Sequence, residues 1–195
     1  MDNSFFNENG YLIIRGALNE QTLQLLKNEI KITEKIMCFK KNKRVEEHFF
    51  KDNQCENSFS YYSLLGTEAL LQLCSPIIEE KTNLKLIPTY SYFRIYYNNS
   101  ILNKHTDRDA CEISVSVCIS KDVNINWPLY FEDKNKKEVS VDLSEGDMVI
   151  YMGNTLIHWR NKFEGEQHIQ AFLHYVNKYG DKSHLKYDGR LFLGF

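Results

Sequence analysis

Two histidines and one aspartate in the second half of the sequence have the types and spacing of metal ligands. His105 and Asp107 form a His-x-Asp triplet that directly precedes an alternating run, "CEISVSVCIS". In an extended segment, residues i and i+2 project to the same side, so this imidazole and carboxylate can bind one ion as neighbouring ligands. His158 lies in a second strand-like run and can supply a third ligand if a barrel brings the two runs together. Because iron and zinc both accept these ligands, the residue types alone do not select the metal.

The triplet also has an ordinary structural interpretation. An aspartate in a turn commonly bonds its own backbone, and a neighbouring histidine can simply face solvent. The metal interpretation gains weight from the strand pattern after the triplet and from His158, which follows Gly146-Asp147 and a hydrophobic run. A site of this kind requires a sheet that pairs distant segments.

The pattern after residue 86 predicts such a sheet. Turn signals such as "EDKNKK" and "SEGD" separate short runs with a period of two. The spacing leaves no room for crossover helices, which favours an antiparallel barrel or sandwich over a parallel α/β sheet. The seven runs are "LIPTYSYFRIYY", "CEISVSVCIS", "WPLYFED", "KEVSVDL", "DMVIYMG", "LIHWRNKF" and "HIQAFLHYVN".

The first 85 residues have a different, mainly helical pattern. A short strand in "GYLIIRG" precedes an amphipathic helix for which Asn19 is a suitable N-cap. Residues 40–62 are polar and aromatic and are expected to form a loop, and a helix is predicted over about 66–82, with Pro76 interrupting it. The prediction is an α+β single domain: helical support over 1–85, a barrel of about eight strands over 86–178, and a tail over 179–195.

Composition restricts the partners and the compartment. The 195-residue chain is 43% hydrophobic, which is enough for a real core, and its net charge of −2 gives no long-range attraction to nucleic acid or membranes. The only dense basic run, "KKNKR" at 40–44, is more typical of a solvated segment. The start of the chain does not resemble a signal peptide, and no apolar stretch approaches the roughly 18–20 residues of a membrane span. Five scattered cysteines without a CxxC pair favour a reducing cytoplasm.

Two segments resemble a known family. "YYNNSILNKHTDRDACEISVSVCIS" resembles the metal-binding segment of the 2-oxoglutarate- and Fe(II)-dependent oxygenases, in their prolyl 4-hydroxylase-like branch. "EGDMVIYMGNTLIHWRNKFEGEQHIQAFLHYV" resembles the second half of the same pattern, and the likeness covers 86–178 well and the first 35 residues loosely. The resemblance implies a double-stranded β-helix, a jelly-roll or cupin-like barrel backed by the N-terminal helices. It further implies Fe(II) held by His105, Asp107 and His158, with 2-oxoglutarate and O2 as co-substrates.

The far carboxylate of 2-oxoglutarate needs a cation, and here the sequence departs from the family. Relatives place an arginine or lysine about ten positions after the distal histidine, where this chain has Gln167 and His168. Arg160 is the favoured replacement, because it lies two residues past His158 and should share its interior face. His168 is the alternative and would act only if protonated. The use of 2-oxoglutarate therefore requires that one of these two residues bind its far carboxylate.

Other side chains of the core have two open interpretations. Tyr97 lies where relatives often place a tyrosine that hydrogen-bonds the co-substrate, although Tyr96 competes with it and core packing is equally compatible. On the last strand, the face that carries His174 is expected to line the cavity, and the apolar face to pack on the helices. For His174 itself, a satisfied core imidazole is favoured over a substrate contact.

The resemblance implies hydroxylation of a peptidyl side chain or a small molecule, with release of succinate and CO2. Asp107 supports hydroxylation, because halogenating relatives replace this carboxylate with a small residue. The alternative is a cupin-like protein that binds a metal or small molecule without oxidative turnover. Zinc-dependent hydrolysis is disfavoured, since no HExxH motif is present. Substrate choice is expected to lie in residues 40–62 and the tail, and neither they nor the rest of the sequence defines an oligomeric state.

Overall fold

The computed structural model describes residues 4–40, 54–122 and 124–194 of the chain. Most of the basic run at 40–44 and the first part of the predicted 40–62 loop therefore lie outside the described residues. The helices are α1 (Ser4–Asn9), α2 (Glu20–Lys40) and α3 (Leu65–Thr82), with short 3₁₀ segments at Asp109–Cys111 and Ser183–Gly189. The strands are β1 (Tyr11–Ile14), β2 (Cys55–Tyr62), β3 (Leu86–His105), β4 (Ile113–Ser120), β5 (Leu129–Glu132), β6 (Glu138–Val141), β7 (Met148–Tyr151), β8 (His158–Arg160) and β9 (Gln167–Asn177).

The strands form one curled antiparallel sheet. Its order is β1-β7-β4-β9-β3-β8-β5-β6, and β2 pairs with β3 outside this path. Strands distant in sequence are therefore neighbours, as in a double-stranded β-helix, and the predicted α+β fold class is confirmed. All seven strand-like runs after residue 86 form strands. Among the described residues, no helix combines the length and apolar character needed to cross a membrane.

Strand β3 organises the sheet, because it pairs with β2, β9 and β8. The segment "YNNS" at 97–100 has the composition of a turn, but it lies within β3, which continues through it as a bulge. Asn99 has a φ of 69°, a conformation that asparagine tolerates better than most residues. Its N–H donates to the Phe163 carbonyl at 2.8 Å, and Phe163 N–H donates to the Ser100 carbonyl at 2.8 Å. The bulge thus turns the end of β3 towards β8.

Three local predictions have different outcomes. The N-cap is confirmed, because Asn19 Oδ1 accepts a hydrogen bond from Thr22 N–H at 2.9 Å. The loop prediction is wrong for residues 55–62, which form β2, because the edge of β3 offers this polar segment backbone partners on both sides of an irregularity between Glu56 and Ser58. The prediction that Pro76 interrupts the helix is also wrong, since α3 continues through this proline. The α3 helix packs against β3 and β9, and that tertiary packing outweighs the local cost of the proline.

The helices cover one face of the sheet. The outward-facing residues of β9, such as Ile169 and Leu173, are fully buried against helix residues that include Ile30 of α2 and Leu71 of α3. A second apolar cluster fills the inside of the curled sheet and contains Phe131 and other aromatic side chains. The predicted division of β9 into a helix-facing side and a cavity-facing side is therefore confirmed.

The C-terminal segment packs on its own barrel rather than extending away from it. Arg190 donates to Glu68 Oε2 at 3.2 Å and to the Thr89 carbonyl at 3.0 Å. Asp188 accepts two hydrogen bonds from Arg108, at 2.6 and 2.7 Å, in a bidentate pair beside the barrel mouth. The described tail thereby fixes the rim of the opening that leads to the predicted metal ligands.

Asp147 joins the first strand to the barrel. Its carboxylate accepts hydrogen bonds from Arg15 Nη1 at 2.7 Å, Gly16 N–H at 2.8 Å and Ser144 N–H at 2.9 Å. Burial acts to raise the pKa of Asp147, but the hydrogen bonds from Arg15, Gly16 and Ser144 outweigh it and lower the pKa. The ionised carboxylate therefore stabilises the junction between β1 and β7.

We expect Asp147→Asn to lower the free energy of unfolding by about 1–3 kcal/mol, because an amide cannot accept all three hydrogen bonds. Since the folded pKa is depressed, the stabilisation is present above the unfolded pKa of about 4 and is lost as the pH falls through the folded value. Urea denaturation of wild type and variant between pH 7 and pH 3 measures both effects. Asp142→Asn is the control, because its side chain is 47% exposed and forms an ion pair with Lys121 that is worth little in a solvated position. Equal losses in the two variants would contradict this assignment.

Candidate metal centre

The three predicted ligands converge at the open end of the barrel. His105 ends β3 and His158 begins β8, and the register of these two strands places the two histidines directly opposite each other. Asp107 Oδ1 lies 3.5 Å from the Nε2 atom of each histidine. Ligand atoms of all three residues lie within 4.8 Å of one another. The structure thus brings together the residues that the sequence singled out.

Backbone carbonyls fix the orientation of both imidazoles. His105 Nδ1 lies 2.7 Å from the Asn103 carbonyl, and His158 Nδ1 lies 2.9 Å from the Leu156 carbonyl. A carbonyl only accepts, so Nδ1 carries the hydrogen in each ring and Nε2 is left to bind an ion. This is the usual support of a metal-ligating histidine, and here each histidine obtains it from the residue two positions earlier.

Asp107 is held by its backbone and by one carboxylate oxygen. Its N–H donates to the Gly153 carbonyl at 2.8 Å, and its Oδ2 accepts a hydrogen bond from Ser114 Oγ at 2.9 Å. Oδ1 therefore remains directed at the two histidines. Burial opposes ionisation of Asp107, but the interactions with His105 and His158 outweigh it and hold the pKa of this carboxyl well below its usual range.

The dimensions of the cluster fit one divalent ion. Ligand bonds of about 2.0–2.2 Å place two ligand atoms roughly 3.0–3.5 Å apart, which agrees with the separations of Asp107 Oδ1 from the two histidines. Two nitrogens and one oxygen on one side of an ion leave its other positions open for exchangeable ligands. The donor set accepts iron or zinc, so geometry alone does not select between them.

An inner cavity lies behind the three ligands, and Arg160 projects into it. Arg160 is two residues after His158 on β8 and shares its inward face, as the sequence predicts. Its side chain is 3% exposed, donates to the Trp127 carbonyl at 2.6 Å and lies over the Trp127 ring at 4.6 Å. Within the described part of the chain, no carboxylate forms an ion pair with Arg160. A buried guanidinium of this kind is suited to an anionic ligand.

Tyr97 and His168, the other two residues that were predicted to bind the co-substrate, are not arranged as Arg160 is. Tyr97 lies on the helix-facing side of β3 and packs against that core, whereas its rival Tyr96 lines the inner cavity. His168 is buried 5.1 Å from the Trp127 ring, and its Nε2 accepts a hydrogen bond from Gln170 Nε2 at 2.6 Å. Burial, followed by the charge of Arg160, lowers the pKa of His168 well below its usual value. A neutral His168 supplies no charge for a carboxylate.

Sequence reasoning missed Arg94 of β3. This residue is 3% exposed, and it lines both the inner cavity and an outer pocket that opens beside Asp107. Its Nη2 donates to Gln54 Oε1 at 3.3 Å, and its guanidinium lies 5.6 Å from the ring centroids of Tyr92 and Tyr96. The signal was available: in "YSYFRIYY", Arg94 is the one charged residue in an aromatic, alternating run.

The outer pocket is large enough for a small molecule, with a cavity volume of about 380 Å³. Burial lowers the pKa of His174, on its wall, to about 4, so this imidazole is neutral near pH 7. The lining is mostly aromatic and polar, and it consists of Gln54, Ser60, Tyr61, Tyr62, Tyr90, Tyr92, Arg94, Thr106, Asp107, Arg108, Cys111 and His174.

Comparison with known proteins gives matches only at the level of structure. No protein-family model matches the chain. No curated protein sequence matches it either. Among solved structures, the non-heme alpha ketoglutarate dependent epimerase SnoN from nogalamycin biosynthesis is similar, with a TM-score of 0.69 and 11% identity over 90% of this chain and 80% of that one. HygX from Streptomyces hygroscopicus, with nickel and 2-oxoglutarate bound, has a TM-score of 0.67 and 13% identity over 90% and 86%.

A Pseudomonas putida prolyl-4-hydroxylase is also similar, with a TM-score of 0.62 and 12% identity over 88% of this chain and 96% of that one. At such low identities, the likeness establishes the fold. The chain therefore has the double-stranded β-helix that these proteins share. Its function has to be inferred from the arrangement of its own residues.

We expect Gly153→Ala to disturb the metal centre, because a Cβ at this position would lie 2.5 Å from Asp107 Oδ2 and 2.6 Å from the Cys111 carbonyl. Displacement of Asp107 should weaken binding of Ni²⁺ by about 10–100-fold, as for the loss of other supporting contacts around metal ligands. Isothermal titration with Ni²⁺ measures the change. Gly180→Ala is the matched control, since its Cβ would meet no atom closer than 3.3 Å. Unchanged Ni²⁺ affinity in Gly153→Ala would contradict the described geometry.

Proposed function

We propose that the protein is an Fe(II)- and 2-oxoglutarate-dependent dioxygenase that hydroxylates a small molecule or a peptidyl side chain. In this proposal His105, Asp107 and His158 hold Fe(II), and Arg160 binds the far carboxylate of 2-oxoglutarate. The fold supports the reaction class, because similar structures include a prolyl-4-hydroxylase and an enzyme crystallised with nickel and 2-oxoglutarate.

The observation that carries the proposal is the shared inward face of His158 and Arg160 on β8. Together with His105 and Asp107, it creates one cavity with a metal-binding end and a cationic end. Among the described residues, no carboxylate pairs with the buried Arg160. A buried cation in this situation is unfavourable unless a ligand supplies the opposite charge. A 2-oxo acid with a second carboxylate at its far end carries the groups that match both ends, and its binding requires the cavity, which is about 10 Å³ in volume, to widen.

Bound Fe(II), with O2 and 2-oxoglutarate, supplies the oxidising chemistry, in which substrate C–H, O2 and 2-oxoglutarate give C–OH, succinate and CO2. The protein holds three ligands on one side of the ion and leaves the remaining positions for the co-substrates. Arg160 orients 2-oxoglutarate through a bidentate contact that a lysine would not reproduce. Aromatic side chains that include Tyr151 and Phe172 form part of the wall of the inner cavity.

The outer pocket beside Asp107 is the proposed substrate site. We infer a cytoplasmic protein that binds no nucleic acid, because none of the five cysteines forms a disulfide and the net charge is −2. A binding protein of cupin type, without oxidative turnover, is the second candidate. The observation in its favour is the neutral His168 on the last strand, where the resemblance called for a cation.

Turnover of 2-oxoglutarate separates the two candidates. Purified protein supplied with Fe(II), 2-oxoglutarate and O2 should form succinate, and Asp107→Ala should abolish both succinate formation and tight Fe(II) binding, because only two ligands remain. Succinate is measured by chromatography, and Fe(II) uptake is measured under nitrogen. Metal uptake without any succinate would favour the binding protein, and wild-type Fe(II) affinity in Asp107→Ala would contradict the metal centre.

We expect Arg160→Ala to weaken 2-oxoglutarate binding by about 30-fold or more, because it removes one partner of a buried charge pair, while Ni²⁺ binding persists. Titration of Ni²⁺-loaded protein with 2-oxoglutarate under nitrogen gives the affinity. Lys162→Ala removes an exposed cation two residues further along and should change nothing. If Arg160→Ala retained wild-type 2-oxoglutarate affinity, Arg160 would not be the anchor.

A further inference from the structure

The proposed binding of metal and 2-oxoglutarate makes no use of the imidazole of His174. This residue lies on β9, where it is in register with Tyr90 of β3 on one side and Ser114 of β4 on the other. Its side chain is 2% exposed and forms part of the wall of the outer pocket. The centroid of its ring lies 4.5 Å from that of Tyr90. The ring is therefore held firmly at the boundary between the metal centre and the pocket.

Hydrogen bonding fixes which nitrogen of His174 carries the hydrogen. Ser114 Oγ lies 2.9 Å from Asp107 Oδ2 and 3.0 Å from His174 Nδ1. Ser114 Oγ also lies 3.2 Å from the Cys111 carbonyl. A carboxylate and a carbonyl only accept, so the single hydroxyl hydrogen of Ser114 is donated to one of these two oxygens and not to His174. The serine oxygen then accepts from His174, whose Nδ1 must carry the hydrogen. The Nε2 atom of this neutral ring is left with a lone pair.

That lone pair is buried and unused. His174 Nε2 is inaccessible to solvent and has no hydrogen-bond partner among the residues that the structure describes. A buried acceptor without a donor is unfavourable, so this atom requires an explanation. The imidazole that carries it lines the outer pocket, which has a volume of about 380 Å³. A ligand in that pocket that brings a donor group against this ring would satisfy Nε2.

We propose that His174 Nε2 accepts a hydrogen bond from the substrate, and that the substrate carries an O–H or N–H group close to the carbon that is oxidised, which excludes a peptidyl proline ring. This inference rests on the proposed function and names the substrate class of the same site. A ring nitrogen of His174 lies within 4.8 Å of a carboxylate oxygen of Asp107, so this imidazole adjoins the candidate metal centre. A peptidyl proline carries no N–H at its ring nitrogen and would leave Nε2 unsatisfied.

Phenol and anisole test the inference, because they share one ring and differ by the hydroxyl hydrogen. Protein labelled with ¹⁵N at histidine and loaded with Zn²⁺ and 2-oxoglutarate is titrated with each. The ¹⁵N signals of His174 are assigned by through-bond NMR correlations. Before phenol or anisole is added, we expect them to show hydrogen on Nδ1 and none on Nε2. Phenol should then shift the Nε2 signal, and it should bind about fivefold more tightly than anisole.

Variants isolate the contribution of the imidazole. His174→Phe should weaken phenol binding by about fivefold and change anisole binding by less than about twofold, since only phenol donates a hydrogen bond. His184→Phe is the control, because it makes the same change at an exposed position in the tail. The tautomer of His174 and the relative affinities for phenol and anisole are measured in the wild-type protein. These two measurements therefore test the inference even if His174→Phe does not fold.

Each negative result has a separate meaning. If Nε2 carries hydrogen, if phenol does not bind, or if phenol and anisole bind equally, the role of His174 is overturned while the metal and 2-oxoglutarate sites stand. If the wild-type protein takes up neither Zn²⁺ nor 2-oxoglutarate, the proposed function falls, and this inference falls with it.

Discussion

The register between β3 and β8 is the constraint on which the site depends. It places His105 opposite His158, and two residues further along β8 it turns Arg160 into the same cavity. A slip of one residue would direct both His158 and Arg160 to the outer face, because side chains alternate along a strand. The bulge at Asn99 and its backbone hydrogen bonds with Phe163 hold this register, since they fix where β3 leaves β9 and meets β8.

Inside the barrel, polar side chains are oriented by one another. Ser114 donates to Asp107, Ser116 donates to Gln170 at 2.9 Å, and Gln170 donates to His168. Such contacts are stronger in a weakly polar interior than in water, and each one removes an alternative orientation for its partners. Through Ser114, the inward face of β4 engages Asp107 Oδ2 and leaves Oδ1 directed at the two histidines.

Charge is distributed unevenly along the cavity. The anionic Asp107 lies at the open end, with the two histidines, while the guanidinium of Arg160 lies further in, against Trp127. Arg94 lies between the inner cavity and the outer pocket. A ligand with a metal-chelating end and an anionic end has only one orientation that matches this arrangement. At the rim, the pair of Arg108 with Asp188 connects the tail to the opening.

Local patterns were sufficient to predict the strands after residue 86, the two longer helices and the identity of the three clustered residues. Alternation marks strands, helical spacing marks helices, and a His-x-Asp triplet places both side chains on one side. Long-range contacts were needed to establish that residues 55–62 form β2, that α3 continues through Pro76, and that Tyr96 rather than Tyr97 faces the cavity. Each of these depends on a partner far along the chain. The edge of β3 offers hydrogen bonds to β2, packing on the sheet stabilises α3, and the register of β3 with β9 selects the inward face, so no local pattern contains the answer.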